Sequence, residues 1–313
     1  MSYRLTAISK GKSFPDGSID KIREFVRTLH HAEIHGISML SPNKALDLQI
    51  EINDCCDGNH LDSTKDAVRT TEIEGVDLVF NELEVRKDIR LVVFDMDSTL
   101  IQQEVIELIA AKANVESEVE KITTAAMNGE LDFKQSLAQR VELLRGIESS
   151  DLWNSLKPQL KFTPGARELC KGLKKAGIKL AVLSGGFVPL AEYVSNELGL
   201  DYAYANTLKT EVDASGKEIL SGTTIGEVVD GARKAELLKE IATKNDIPFS
   251  SVLAVGDGAN DLPMMKIAGL GVAWNAKPKV QEQAPAKLNS ESLADIFYVL
   301  GYSDVEIEGF LNE

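Results

Sequence analysis

The sequence predicts an α/β protein in which a Rossmann-like doubly wound parallel sheet carries an inserted helical cap and is preceded by a small N-terminal α+β domain. Three observations carry that expectation. Short apolar runs at Leu91 to Phe94, Lys179 to Leu183, Ser251 to Val255 and Gly269 to Trp274 alternate with stretches of helical periodicity, the pattern of strands buried on both faces and joined by crossover helices. Residues 104 to about 160, between the first two runs, read almost wholly helical. Residues 1 to 84 show a strand and helix order of their own, which divides the chain into an N-terminal unit and a larger unit over 85–313.

The N-terminal unit opens with a strand at Tyr3 to Ser9. A helix follows, with Ile19, Ile22, Val26 and Leu29 on one face; strands come at Ile34 to Leu40 and Leu46 to Ile52, a helix near Thr64 to Ile73, and a strand at Asp77 to Leu83. That βαββαβ order is the ferredoxin-like plait. His30, His31, His35, Cys55 and Cys56 lie in this unit, but their spacing lacks the paired ligands of a metal site. The charged segment Glu84 to Asp88 reads as a linker. In the larger unit, Val105, Leu108, Ile109, Leu137, Val141 and Leu144 give the cap its apolar face. Thr163-Pro164 reads as a helix start with proline in the first turn, and that helix stops at Gly177. Another helix, from about Val188 to Leu198, stops at Gly199; Asp213 to Gly216 reads as a hairpin turn, Arg233 to Thr243 as a helix, and Ser292 to Leu300 as a closing amphipathic segment.

Composition narrows the function. The net charge of -15, from 49 acidic and 34 basic residues, argues against nucleic acid or an anionic membrane as partner. Three cysteines give neither a disulfide framework nor a zinc spacing, so a reducing cytoplasm is the expected setting. The first residues open no apolar signal core, and no apolar run is long enough to span a bilayer.

The chemistry gathers at strand ends. Asp95 and Asp97 follow the Leu91 to Phe94 strand; in extended backbone they point the same way, and two such charges need a cation or a shared proton. Ser184-Gly185-Gly186 follows the next strand and offers backbone N–H groups and a hydroxyl, a common way to hold phosphate. Asp257, Asn260 and Asp261 follow the third. Taken singly, these signals also fit an Asx turn, an ordinary strand-to-helix turn and a tight glycine loop, and Lys234 fits a solvated surface lysine. Jointly, strand ends of one parallel sheet meet in one crevice. Carboxylates without His or Cys suit a hard divalent cation, and few ligands with room for phosphate oxygens favour Mg²⁺ over Ca²⁺.

In these segments the chain resembles the haloacid dehalogenase-like phosphohydrolases. Asp95-Met96-Asp97-Ser98-Thr99, Ser184, Lys234 and Gly256-Asp257-Gly258-Ala259-Asn260-Asp261 match the four motifs of that family, and the resemblance covers about residues 88 to 290. Gln102-Gln103-Glu104, Leu131-Asp132-Phe133, Arg140 and Leu183 to Phe187 resemble the members that act on O-phosphoserine. The resemblance implies Mg²⁺-dependent hydrolysis of O-phosphoserine to serine and phosphate, the last step of serine biosynthesis. It makes Asp95 the nucleophile, Asp97 the acid and base, and Ser184 and Lys234 the holders of the phosphoryl oxygens. Asp95, Asp257 and the carbonyl of Asp97 would bind the metal, with Asp261 supporting from behind, and Glu104, Phe133, Arg140, Gly185 and Asn260 would bind substrate. Enlarged relatives carry an amino-acid-binding ACT-type domain at the N-terminus, so a free amino acid at the first domain and a second copy of the chain join O-phosphoserine as expected partners. Two other readings stay open: a phosphatase or phosphotransferase for another small ester, and a phosphate or amino-acid sensor without turnover. A pure binder has no need of the second carboxylate, Asp97.

Overall fold

A computed structural model describes residues 2–29, 32–52, 60–82, 88–127 and 130–312. The N-terminal unit folds in the expected order: β1 (Ser2–Ser9), α1 (Ser18–Thr28), β2 (Ala32–Ser41), β3 (Ala45–Ile52), α2 (His60–Thr70) and β4 (Val76–Glu82). Its antiparallel sheet runs β2-β3-β1-β4, the strand order of a ferredoxin-like plait. One face of the sheet is closed by the helices, with Tyr3, Leu5, Leu48 and Ile50 packed against Ile22, Val26 and Val68. Part of the opposite face is also buried. Ile8, Leu40, Ala45 and Val79 join the apolar core of the larger unit, Lys44 pairs with Asp295 at 2.8 Å, and Asp77 accepts from the backbone and side chain of Asn289. The first domain is thus seated on the second. Of the histidines and cysteines noted above, His30, His31, Cys55 and Cys56 lie outside the described residues, as do Leu83 and the linker residues 84–87; His35 pairs with Glu51 at 3.0 Å.

The larger unit contains β5 (Leu91–Phe94), the cap helices α3 (Val105–Ala113), α4 (Glu116–Met127), α5 (Phe133–Glu142) and α6 (Ser149–Leu156), then α7 (Ala166–Lys175), β6 (Lys179–Phe187), α8 (Val188–Leu198), β7 (Tyr202–Val212), β8 (Glu218–Ile225) and α9 (Gly231–Lys244). After these come β9 (Val252–Gly256), α10 (Leu262–Ile267), β10 (Leu270–Trp274), α11 (Pro278–Gln281), β11 (Ala286–Leu288), α12 (Ile296–Val299) and α13 (Asp304–Asn312). The sheet order is β11-β10-β9-β5-β6-β7-β8. All neighbours are parallel except β7 and β8, whose hairpin ends the sheet with one antiparallel strand. β5 lies at the centre, and every one of its residues is buried because helices cover both faces.

Three local expectations are corrected. Thr163 is not the cap of α7: Gly165, at φ +80°, precedes Ala166, and Pro164 stands outside the helix with its carbonyl accepting from Leu293 N–H. β7 starts at Tyr202, ahead of the expected hairpin, since its first half is a parallel sheet strand and only its second half pairs with β8. The closing segment splits into a 3₁₀ turn at Leu293–Asp295, the short α12, and a further helix α13, whose Phe310 packs on Phe297 and Tyr302.

Candidate active site

Register explains why the motifs converge. Phe94 pairs with Val182 on one side and with Val255 on the other, so Asp95, the start of the Ser184 loop and Gly256-Asp257 leave the sheet at one level. After Asp95 the chain turns sharply: Ile101 N–H donates to Met96 O at 3.0 Å and Ser98 takes φ +53°. The turn is tied back into the site, because Ser98 Oγ donates to Glu104 Oε1 at 2.6 Å and Thr99 Oγ1 to Asp257 Oδ1 at 3.3 Å.

At the centre lies a buried charge cluster. Lys234, in the first turn of α9, is fully buried, and its Nζ donates to Asp95 Oδ1 at 2.6 Å and Asp261 Oδ1 at 2.7 Å. The solvated-lysine alternative is thereby overturned. Asp261 is anchored a second time by Gly258 N–H at 3.0 Å. Asp95, Asp257 and Asp261 each offer an oxygen, all within 4.8 Å of one another. Burial first, then Asp261, pushes the Asp95 carboxyl well above its ordinary range, with Lys234 opposing. Burial, Asp261 and Glu104 push Asp257 up to about 7. Three carboxylates against one ammonium leave two negative charges without compensation among these four groups, which matches a divalent cation. Both oxygens of Asp261 already accept hydrogen bonds, so Asp95 and Asp257 are the better placed to meet such an ion directly. The Asp97 carboxylate does not belong to the cluster.

Asp97 has a separate environment. Its Oδ1 is buried without a hydrogen-bond partner, and burial, Glu104 and Asp95, in that order, push its pKa well above the usual carboxylate range, with Lys234 and the Val105 N–H opposing. Gly186 packs tightly beside it, since a Cβ there would lie 3.0 Å from Ser184 Oγ and 3.3 Å from Asp97 Oδ2. Ser184 is fully buried, and its Oγ accepts from Gly186 N–H at 2.8 Å.

The cap closes over this floor. Asp132 and Gln135 form a capping box that starts α5 and fixes Phe133, whose ring lies so near Gly185 that a Cβ on Gly185 would meet it at 3.0 Å. Lys134 reaches Asp230, the N-cap of α9, at 3.2 Å. Arg140 is half-buried; burial lowers its pKa, and the acidic groups acting on it are Glu104 and Asp97, so it faces the site. The cap stems are tied together by Gln102 Nε2 to Phe162 O at 3.0 Å and Gln103 Nε2 to Gln159 O at 2.8 Å. Every residue expected at the site is therefore near it, Asn260 included, whose backbone carbonyl lies against Gly231 at the start of α9. Sequence reasoning missed the turn residues Ser98 and Thr99 as contacts.

A buried carboxylate at the end of the central strand of a parallel sheet, paired with a buried lysine and set in an acidic cluster under a helical cap, is the arrangement of a capped phosphoryl-transfer hydrolase. Residues 89–269 match the haloacid dehalogenase-like hydrolase family, and the chain belongs to that family. The phosphoserine phosphatase of Saccharomyces cerevisiae is 46% identical over 307 residues, covering 97% of this chain and 98% of its own. A solved phospho-aspartyl intermediate analogue of phosphoserine phosphatase is 42% identical with a TM-score of 0.61, covering 67% of this chain and 98% of that one. A solved HAD family hydrolase from Salmonella enterica serovar Typhi, 26% identical with a TM-score of 0.76, covers 96% of this chain and 99% of its own.

Proposed function

We propose that this chain is a phosphoserine phosphatase that hydrolyses O-phosphoserine to serine and phosphate through an aspartyl-phosphate on Asp95. The observation that carries the reading is the pairing of two differently tuned carboxylates under one cap: Asp95 against Lys234, and Asp97 in a buried position beside Glu104 and Arg140. Asp95 attacks phosphorus in line and the P–O bond to the seryl oxygen breaks. Asp97, whose environment favours the neutral carboxyl, gives its proton to the leaving oxygen and then takes one from the water that attacks the acyl phosphate. The Lys234 ammonium, Ser184 Oγ and the N–H groups of the Gly185 loop stabilise the equatorial oxygens. When bound, a divalent cation, Mg²⁺ in this proposal, supplies charge neutralisation, held by Asp95, Asp257 and the carbonyl of Asp97. Asp261 holds Lys234, and Asn260 supports the same loop.

Selectivity rests with the cap. Phosphoserine carries a carboxylate and an ammonium close to its phosphate, and Arg140 and Glu104 provide one cation and one anion beside the reacting groups, with Phe133 covering the floor. The test is phosphate release from O-phosphoserine, O-phosphothreonine, a sugar phosphate and an aryl phosphate, each with Mg²⁺ and after chelation. The proposal expects phosphoserine to have the highest kcat/KM and chelation to abolish turnover. A sugar phosphate as best substrate, or full activity in chelator, would overturn it.

A further inference from the structure

We propose that Asn206 is a positioning residue that locks the phosphate loop to the lysine helix, a role that rests on the phosphatase reading above. Asn206 sits in β7, paired in register with Phe187 at the end of β6, where the ladder is interrupted between Leu183 and Phe187 because the Ser184-Gly185-Gly186 loop bulges out of it. The side chain is buried, 2% exposed, and both ends of its carboxamide are used. Nδ2 donates to Gly185 O at 2.9 Å, and Oδ1 accepts from Val229 N–H at 2.8 Å. Gly185 belongs to the phosphate loop. Val229 immediately precedes Asp230, the residue that caps α9 by accepting from Arg233 N–H at 2.9 Å and whose carbonyl accepts from Lys234 N–H. One planar amide therefore spans the two segments that present Ser184 and Lys234, which no backbone hydrogen bond does among the described residues.

The residue type follows from the geometry. The site needs a donor towards a carbonyl and an acceptor towards an N–H, set apart by one short side chain, and Asn alone of the short side chains offers both in one rigid plane. Asp supplies only the acceptor, Leu neither, and either change leaves a buried backbone group without its partner. A turned Gly185 carbonyl would also turn the following Gly186 N–H, which donates to Ser184 Oγ, and would disturb the surface on which Phe133 rests. The consequence concerns the phosphoryl group and not the amino-acid portion of the substrate. Loss of Asn206 is expected to weaken all phosphate esters equally, in contrast to a cap residue.

The experiment compares wild type, Asn206→Ala and Asn206→Asp in kcat and KM for O-phosphoserine and an aryl phosphate, inhibition by inorganic phosphate, and thermal unfolding. Expected are folded variants with kcat/KM lower by on the order of 10 to 10²-fold on both esters, the size of one or two buried hydrogen bonds at a reacting group, and phosphate inhibition weakened in parallel. Asn206→Asp keeps the Val229 bond but sets a carboxylate oxygen against the Gly185 carbonyl, so it should unfold at a lower temperature than wild type and show the loss on both esters. Kinetics within threefold of wild type in either folded variant, or a loss confined to phosphoserine, would overturn the role. A wild-type enzyme inactive on phosphoserine but active on the aryl ester would instead sink the substrate assignment and leave Asn206 testable on the aryl ester.

Discussion

At the scale of single residues, the proposed function separates charges that handle phosphate from charges that choose the substrate. Lys234 is legible in sequence only by its place in a motif, because a lysine near a helix start is usually solvated; its full burial between Asp95 and Asp261 is a tertiary fact. Asp95 and Asp97 were legible as a pair of carboxylates at the end of a both-face-buried strand, but alone that pair also fits an Asx turn, and only the strand ends further along the chain weighed for a site. Asn206 was not legible, because a lone Asn inside a strand gives no local signal and its partners are 21 and 23 residues away. In the proposed function, Arg140 is the residue on which specificity turns. Arg140→Ala is expected to lower kcat/KM for phosphoserine by about 10²-fold or more, the worth of a charge-assisted bidentate contact where water is excluded, while an aryl phosphate is scarcely affected. Steady-state kinetics on both esters check this, and equal losses would move Arg140 from the carboxylate to the phosphate or the fold.

At the scale of elements, glycine placement shows how closely the strand ends are packed. The glycines around Asp257 fit a simple tight loop in sequence, but a Cβ on Gly256 would come within 2.4 Å of Asp261 Oδ2, at the end of β9. Gly256→Ala is therefore expected to displace Asp261 from Lys234, costing about 1 to 3 kcal/mol of stability as overpacking and most of the activity. Denaturant unfolding with a parallel turnover assay measures both; unchanged activity would mean that Asp261 is dispensable for holding Lys234. Elements with a strong period or a long run were foreseen, the cap helices and the central strands among them. β11, at three residues, is too short to carry a pattern, whereas the antiparallel β7–β8 hairpin was announced by its turn residues Asp213 to Gly216. No helix among the described residues is long and apolar enough to cross a membrane.

At the scale of the whole molecule, all motif residues lie after Arg86, yet the first domain is not a loosely tethered attachment. Ile8, Leu40, Ala45 and Val79 belong to the core of the larger unit, and Lys44 neutralises the buried Asp295. Sequence could not show this, because the second buried face of β1 and β3 reads like any alternating strand until its partner surface is known. A chain beginning at Arg86 is expected to keep its kcat where it is folded. It should lose on the order of 4 kcal/mol or more from those side chains alone, about 10 °C in Tm. Thermal unfolding and kinetics of the shortened chain decide: an unchanged Tm would show that the interface contributes nothing, and a folded but inactive chain would give the first domain a share in catalysis. If that domain also binds a free amino acid, calorimetry on the full chain with the active site saturated by inorganic phosphate would record a second site.

The central claim is that Asp95 becomes phosphorylated. The direct measurement is a rapid acid quench of the Mg²⁺-loaded enzyme during turnover of O-phosphoserine, followed by borohydride, which reduces an aspartyl-phosphate to homoserine, and mass analysis of the peptide containing residue 95. Homoserine at position 95 in the wild type, dependent on substrate and absent from Asp95→Asn, is the result the account predicts. Reduction at another carboxylate, or turnover with no trapped residue and undiminished activity in Asp95→Asn, would contradict it.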